Sequence, residues 1–262
     1  MVRAQTLVRP PKSAALQPDR QRRLARILGA GLGGALMAML PMAPRGTAAQ
    51  PKSPIALPEP EGQTLLLQSV DRADYGPLAE QFLTQARLSY CGVATMVMVL
   101  NSLAVPAPLA AGYGNYRFWT QENVFDSPRT RAVLSPELVA RRGMSLDQLG
   151  ALLASHGLQT RAIHGDRLSL AQLRLLLRHN LNNPGDRLLV NYDRTAVGQA
   201  GGGHISPVAA YHAATDRVLI LDVARYRYPS TWVALVDLWQ AIRSTDNSSG
   251  RSRGVVVVRR IN

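Results

Sequence analysis

The stretch Cys91-Gly92-Val93-Ala94-Thr95-Met96-Val97-Met98-Val99-Leu100-Asn101-Ser102-Leu103 decides how the chain is read. It is mostly apolar, long enough for about three helical turns, and closed off by Pro106, which cannot continue a helix. Length and flanks read as a buried helix rather than a strand. Its first residue is the one cysteine in the chain. A thiol at a helix start sits where the macrodipole favours a negative charge, and so a thiolate. Gly92 beside it reads as room for a substrate backbone. The competing reading of Cys91 is an inert small residue in a core helix, and the rest of the sequence has to separate the two.

Working outward, further helices carry their own start signals. Ser135-Pro136-Glu137 places proline at a first helical position. Ser145-Leu146-Asp147-Gln148 is a capping box for a helix closed by Gly157. Ser169 opens a helix through about Leu181, with Leu170, Leu173, Leu176 and Leu177 on one face. Later segments read as strands: Arg187 to Tyr192, then Ile205 to His212 and Arg217 to Val223 as a hairpin, then Gly254 to Arg259 with four consecutive valines. A helical first half followed by an antiparallel sheet in the second half indicates an α+β fold.

Composition narrows the function classes. The chain has 262 residues and a formal net charge of +13, and apolar residues make up 46%. More than half of the excess charge lies in residues 1–49, which carry Arg3, Arg9, Lys12, Arg20, Arg22, Arg23, Arg26 and Arg45 against Asp19. The remainder shows scattered arginines without aromatic–basic interleaving, which argues against nucleic acid. Residues 1–49 read as an export signal: a basic lead, an uncharged run from Ile27 to Ala43, and small residues at Thr47-Ala48-Ala49 before a cut at Gln50. The run falls just short of the ~20 residues that span a bilayer, so no stable membrane insertion is expected after cleavage, with an uncleaved anchor as the alternative. Arg22-Arg23 leaves the export route open. The expected location is periplasmic. Residues 50–63, with Pro51, Pro54, Pro58 and Pro60, read as an extended linker, and 64–262 as one catalytic domain. Exported proteins generally pair their cysteines, so a single one is examined as a reactive thiol.

Acyl transfer through a thiol needs a base, a group that orients the base, and donors for the oxyanion. His204 follows Gly201-Gly202-Gly203 and opens a strand, and the glycines read as close backbone approach to a ligand. Asp222 ends the return strand after Val218-Leu219-Ile220-Leu221, so it is expected to be buried and in need of a partner. An even hairpin register puts Asp222 on the face of His204; an odd one does not, and the sequence leaves the register open. Gln85, six residues before Cys91, has an amide suited to an oxyanion. His156 and His179 read as helix C-terminal residues favoured in a partly positive state. His212 reads as lying near the hairpin tip, away from Cys91. No histidine pair has zinc-type spacing, so no metal site is assigned.

Several strings resemble the phytochelatin synthase family: Gln85 with Ser89-Tyr90-Cys91-Gly92-Val93-Ala94, then Phe118-Trp119-Thr120-Gln121-Glu122-Asn123-Val124-Phe125, then Leu189-Val190-Asn191-Tyr192. Gly202-Gly203-His204-Ile205-Ser206-Pro207-Val208 and Leu221-Asp222-Val223-Ala224-Arg225-Tyr226 complete the set. The resemblance covers about residues 64–262. It implies a papain-like cysteine protease fold and a catalytic triad of Cys91, His204 and Asp222, with Gln85 in the oxyanion hole. It implies glutathione as substrate, a γ-glutamylcysteinyl acyl-enzyme formed with loss of glycine, and transfer to water or to a second glutathione. Asp246 and Arg253 match positions that hold the γ-glutamyl head group, Arg225 an arginine near the acceptor, and Gly203 a residue of the substrate site. The likeness is to short bacterial members without the Cys-rich C-terminal region of plant and yeast ones. Heavy-metal ions such as cadmium are therefore expected to act through metal–glutathione thiolates rather than a dedicated site, and hydrolysis to dominate over transfer. A homodimer is left open. Another papain-like peptidase, cleaving peptides, is the alternative.

Overall fold

The structure, a computed structural model, describes residues 53–261. The expected signal over 1–49 and the first linker residues lie outside them. In chain order the helices are α1 (Pro60–Gln68), α2 (Tyr75–Glu80), α3 (Cys91–Ser102), α4 (Pro128–Val133), α5 (Pro136–Arg142), α6 (Leu146–Ser155), α7 (Leu170–Leu181) and α8 (Leu235–Arg243). The strands are β1 (Ile55–Ala56), β2 (Leu158–His164), β3 (Asp186–Asp193), β4 (Gly203–His212), β5 (Arg217–Ile220), β6 (Thr231–Ala234), β7 (Thr245–Asp246), β8 (Arg251–Ser252) and β9 (Gly254–Arg260).

Seven strands form one sheet in the order β1-β6-β5-β4-β3-β9-β2, with antiparallel pairing throughout, and β7 and β8 form a separate small hairpin. Both faces of the large sheet are covered. Leu189, Ile205, Leu219, Val256 and Val258 pack with α3 and α6. Their alternating neighbours Leu188, Val190, Val208, Val218, Ile220 and Val255 pack with α7 and α8. Burial on both sides explains why β3 and β9 read as unbroken apolar runs instead of alternating ones. The expected α+β class holds, with two changes. β2 was not anticipated in the helical half, and it pairs with the last strand, β9. α8 lies within the sheet half and closes the second core.

The linker expected over 50–63 ends earlier than the sequence suggested. Ile55 and Ala56 pair with Trp232 and Thr231 of β6, and α1 begins at Pro60. Pro58 and Pro60 belong to the strand-to-helix turn: proline suits a first helical position, where no backbone N–H is needed.

The cap signals translate directly. Ser145 Oγ accepts from Gln148 N–H at 3.3 Å while Gln148 Oε1 accepts from Ser145 N–H at 2.9 Å, and Ser169 and Gln172 repeat the arrangement for α7. Ser145→Ala is expected to cost about 1 kcal/mol and to lower Tm by about 2–4 °C for a domain of this size. Ser145→Asp should restore most of the loss. Thermal unfolding of the two variants checks this.

Candidate active site

Thr95, one turn into α3, is fully buried and donates from Oγ1 to the carbonyl of Ile205 at 3.2 Å. That bond pins the helix bearing Cys91 to the strand bearing His204. Cys91 is partly buried at the first position of α3. Burial pushes its thiol up, but a hydrogen bond to His204, the charge of that ring and the backbone N–H groups of Ile205 and Gly92 outweigh it. The net shift is below the ordinary thiol value of 9.0. His204 moves the opposite way. Burial lowers it, while the Asp222 and Cys91 contacts together raise it above 6.5. Each group's ionised form stabilises the other's, so the pair shifts together toward thiolate and imidazolium.

Asp222 lies just past β5, and the register that was open in sequence is settled by a bulge. Ala210 pairs with Leu219, but Val208 pairs with Ile220, so one extra residue, Ala209, is absorbed in β4. Continued at the shifted register, with Leu221 N–H on the Pro207 carbonyl at 3.1 Å, Asp222 comes opposite Ser206. Side chains alternate with a period of two, so Asp222 shares the face of His204. Without the bulge it would fall on the other face. His204 Nε2 and Asp222 Oδ1 are 2.9 Å apart. The N–H direction is off the oxygen, so the resting contact is an ion pair rather than an aligned hydrogen bond; such contacts commonly tighten only when substrate is bound. With Nε2 on the carboxylate, Nδ1 is the ring nitrogen left for the thiol. Tyr192, the cross-strand partner of His204, packs edge-on to its ring at 5.8 Å.

One member of the cluster was missed in sequence. Arg194 forks onto Asp222, Nη1 to Oδ2 at 2.6 Å and Nη2 to Oδ1 at 2.9 Å, and Nη1 also donates to Gln199 Oε1. Its guanidinium stacks over Tyr228 at 4.9 Å. Burial would raise the Asp222 carboxyl, but His204 and Arg194 hold it down at about 2. No local pattern marks Arg194. It is one arginine among many, twenty-eight residues from its partner.

The other predicted residues separate into two groups. Gly203, Asp246 and Arg253 line one cavity of about 480 Å³ together with Cys91 and His204. Asp246 Oδ1 accepts from Ser248 N–H at 3.0 Å and Ser248 Oγ at 2.8 Å, leaving Oδ2 without a hydrogen bond among the described residues. Arg253 donates from Nη1 to Asn191 Oδ1 at 2.8 Å, and its buried Nε has no partner among them. The hairpin bearing Asp246 is moored to α6, where Arg251 reaches Asp147 Oδ2 at 2.5 Å and His164 reaches Asp147 Oδ1 at 3.2 Å. Arg141 and Arg142, at the end of α5, also line the cavity and were not anticipated.

Arg225 stands apart: it is exposed, stacked on Phe82 at 4.8 Å, and does not line this cavity. Gln85 is buried, with Nε2 donating to the carbonyls of Arg87 and Leu88 at 2.8 and 2.9 Å and lying 3.1 Å from Tyr226 Oη. Two amide hydrogens are thus shared among three oxygens, and an oxyanion role needs one of them released. Gln121 braces this segment through Thr84 and Ala86.

Three readings are corrected. Gly92 does not open space for substrate: a Cβ there would lie 2.5 Å from Met144 Sδ, so helix packing requires the glycine. The space beside Gly203 is filled by the Arg253 guanidinium, 2.2 Å from where a Cβ would be. His156 is not a positive helix end, because burial against Trp119 lowers it to about 4 and leaves it neutral.

A lowered thiol, a raised imidazole and a clamped carboxylate make a nucleophile–base–orienter arrangement of the kind that forms covalent acyl intermediates. The phytochelatin synthase family model matches residues 46–255. Glutathione gamma-glutamylcysteinyltransferase 1 of Lotus japonicus is 32% identical over 203 residues, 76% of this chain and 39% of that protein. Glutathione gamma-glutamylcysteinyltransferase 2 of Arabidopsis thaliana is 33% identical over 183 residues, 70% and 39% respectively. The Schizosaccharomyces pombe glutathione gamma-glutamylcysteinyltransferase is 29% identical over 211 residues, 79% and 49%. The chain belongs to the phytochelatin synthase family, and it spans about two fifths of the length of the plant relatives it matches.

Two outcomes are expected. The rate of Cys91 alkylation by iodoacetamide should follow a titration below that of an ordinary thiol. The reactive thiolate persists as pH falls toward neutrality and is lost only as pH drops through the lowered value; His204→Asn should move the midpoint up. Separately, Arg194→Met should destabilise the fold by about 3–5 kcal/mol by leaving the Asp222 charge short of a partner. Asp222→Asn added to it should recover part of that loss in denaturant unfolding, and a double-mutant cycle measures the coupling.

Proposed function

We propose that this chain is a glutathione γ-glutamylcysteinyltransferase with a papain-like fold, in which Cys91, His204 and Asp222 act as a catalytic triad. The observation that carries the reading is that Cys91 and His204 share one cavity with Asp246 and Arg253. A γ-glutamyl head group carries an ammonium and a carboxylate on one carbon. Asp246 Oδ2 suits the first, and the Arg253 fork suits the second. With the head group held there, the Cys–Gly amide of glutathione is presented to the thiolate.

The Cys91 thiolate adds to the amide carbonyl carbon, and the oxyanion that forms is met by the Cys91 backbone N–H, left without a helical partner at the start of α3. Gln85 joins it once its amide turns from the Arg87–Leu88 carbonyls. The His204 imidazolium gives its proton to the departing nitrogen, the C–N bond breaks, and glycine leaves. Cys91 then carries a γ-glutamylcysteinyl thioester. His204, now neutral, takes a proton from the water that attacks the thioester, giving γ-glutamylcysteine, or from the free α-amine of a second glutathione as it attacks, giving the longer peptide; in both cases the Cys91 thiolate is the leaving group. Asp222, clamped by Arg194, holds the ring in one orientation throughout. Metal enters as a thiolate complex of the acceptor, and export to the periplasm fits the character of residues 1–49.

The test is to mix the full chain with glutathione and quench with acid. Glycine release and a mass increase of one γ-glutamylcysteinyl unit on Cys91 are expected, both abolished in Cys91→Ala, with Asp246→Asn raising KM more than it lowers kcat. Glycine release that persists in Cys91→Ala, or no adduct in the unaltered protein, would overturn the reading. Cleavage of ordinary α-linked peptides in its place would return the site to a general peptidase. Cadmium added to the same mixture reports how the acyl group divides between water and glutathione.

A further inference from the structure

A second cavity, of about 440 Å³, lies under the last turn of α7 and over the β2–β9–β3 end of the sheet. Two of its lining side chains are deeply buried polar groups. Asp186 is 5% exposed and Asn180 1%. Oδ1 of Asp186 and both amide atoms of Asn180 have no hydrogen-bond partner among the described residues. Asn180 is near enough to Asp186 to favour its carboxylate, without hydrogen-bonding geometry. Unpaired buried polar atoms are costly, and in native proteins they mark places where a partner belongs.

The opposite wall is cationic. Arg259 is the cross-strand partner of both Asp186 and Gln159, and Arg161 stands two residues along β2 from Gln159. Both arginines line the cavity. Arg259 gives Nε to Gln159 Oε1 at 2.6 Å, and its Nη nitrogens are not engaged by other described residues. A simple anion would meet the Asp186 carboxylate, and a simple cation would meet two arginines. A metal ion would find only Asp186 and the nearby His179 as good ligands. A zwitterion answers both walls: its ammonium to Asp186, its carboxylate to the arginine fork, with the Asn180 amide accepting from one and donating to the other.

We propose that this cavity is a second binding site, for the α-amino/α-carboxylate end of an amino acid or γ-glutamyl peptide. It is separate from the site at Cys91. β3 runs from Asp186 here to Asn191 at the first cavity, about 16 Å at ~3.3 Å per residue. A molecule bound at Asp186 cannot reach the thiol, so occupancy acts on the protein and not as an acceptor in the reaction. Burial raises the Asp186 carboxyl above its ordinary value, against the pull of Asn180, His179, Arg187 and the Asn183 amide, which donates to Oδ2 at 3.3 Å.

The inference does not depend on the chemistry at Cys91, and the test is run on full-length Cys91→Ala so that turnover plays no part. The Asn180 side-chain amide resonance is followed while L-glutamate or glutathione is added. A saturable shift is expected with at least one of them, and a tenfold or greater weakening in Asp186→Asn and in Arg259→Met, with the Asp246 site unaffected. A response to L-glutamate identifies the amino-acid head alone as sufficient; a response to glutathione only means that the peptide body contributes. Acetate and methylamine, which carry one charge each, should leave the resonance in place. No shift with either zwitterion, or an equal shift with acetate, overturns the proposal. Because the ligand panel is run before any cavity residue is changed, it decides the matter even if a variant fails to fold.

Discussion

Asp222 is a carboxylate only 1% exposed to water, and the rest of the site depends on how its charge is held. An isolated carboxylate at that depth would neutralise itself. Arg194 prevents this by a two-pronged bond, and the stacked ring of Tyr228 keeps the guanidinium in its plane. The cost of burying Arg194 is offset in turn by Gln199. The carboxylate that orients His204 is therefore itself oriented, and the ring nitrogen facing Cys91 inherits that order. Arg194 shares the charge of Asp222, and the carboxylate still raises His204 through its contact with the ring.

Much of this was legible in the sequence, and the limits have physical causes. Helix starts could be read because a capping box is a local hydrogen-bond pattern, complete within four residues. Cys91 was placed at a helix start by the length and flanks of the apolar run that follows it, since Tyr90 before it makes no side-chain cap. The parity of the β4–β5 hairpin could not be read, because the bulge at Ala209 depends on how β4 packs on its neighbours and not on any residue that demands it. Arg194, Asn191 and the β2–β9 pairing are long-range contacts between stretches with no local mark. Gly92 and Gly203 were read as close approaches of a substrate or ligand. What approaches them is Met144 and Arg253, parts of the protein itself. Pro58 and Pro60 read as linker because proline punctuates, yet here they form the turn out of β1 and the first position of α1.

The division of labour follows the topology. The proposed reacting groups sit on α3, on β4 and just past β5, elements tied together by Thr95 and the β-ladder. Asp246 lies on the β7–β8 hairpin, outside the large sheet, held to α6 through Asp147. A rigid centre suits bond making, where small displacements cost much. A moored hairpin suits recognition, because the residues around Asp246 can change without disturbing the sheet.

Arg253 joins the two parts. It stands between β8 and β9, its guanidinium rests in the space left by the missing side chain of Gly203, and the next residue is His204. On the proposed reading, the group that receives the substrate's carboxylate is thus packed against the backbone that carries the base. Any side chain at 203 would displace the fork before it touched the substrate. Specificity then becomes a matter of span. The distance from the Arg253–Asp246 pair to Cys91 is fixed by the strands, and a γ-linked glutamyl group places two more methylenes between its charged carbon and the first amide than an α-linked residue does. An ordinary peptide anchored by its terminus would bring the wrong bond to the thiolate. Discrimination against peptides follows from where the head group is held, with no repulsive contact required.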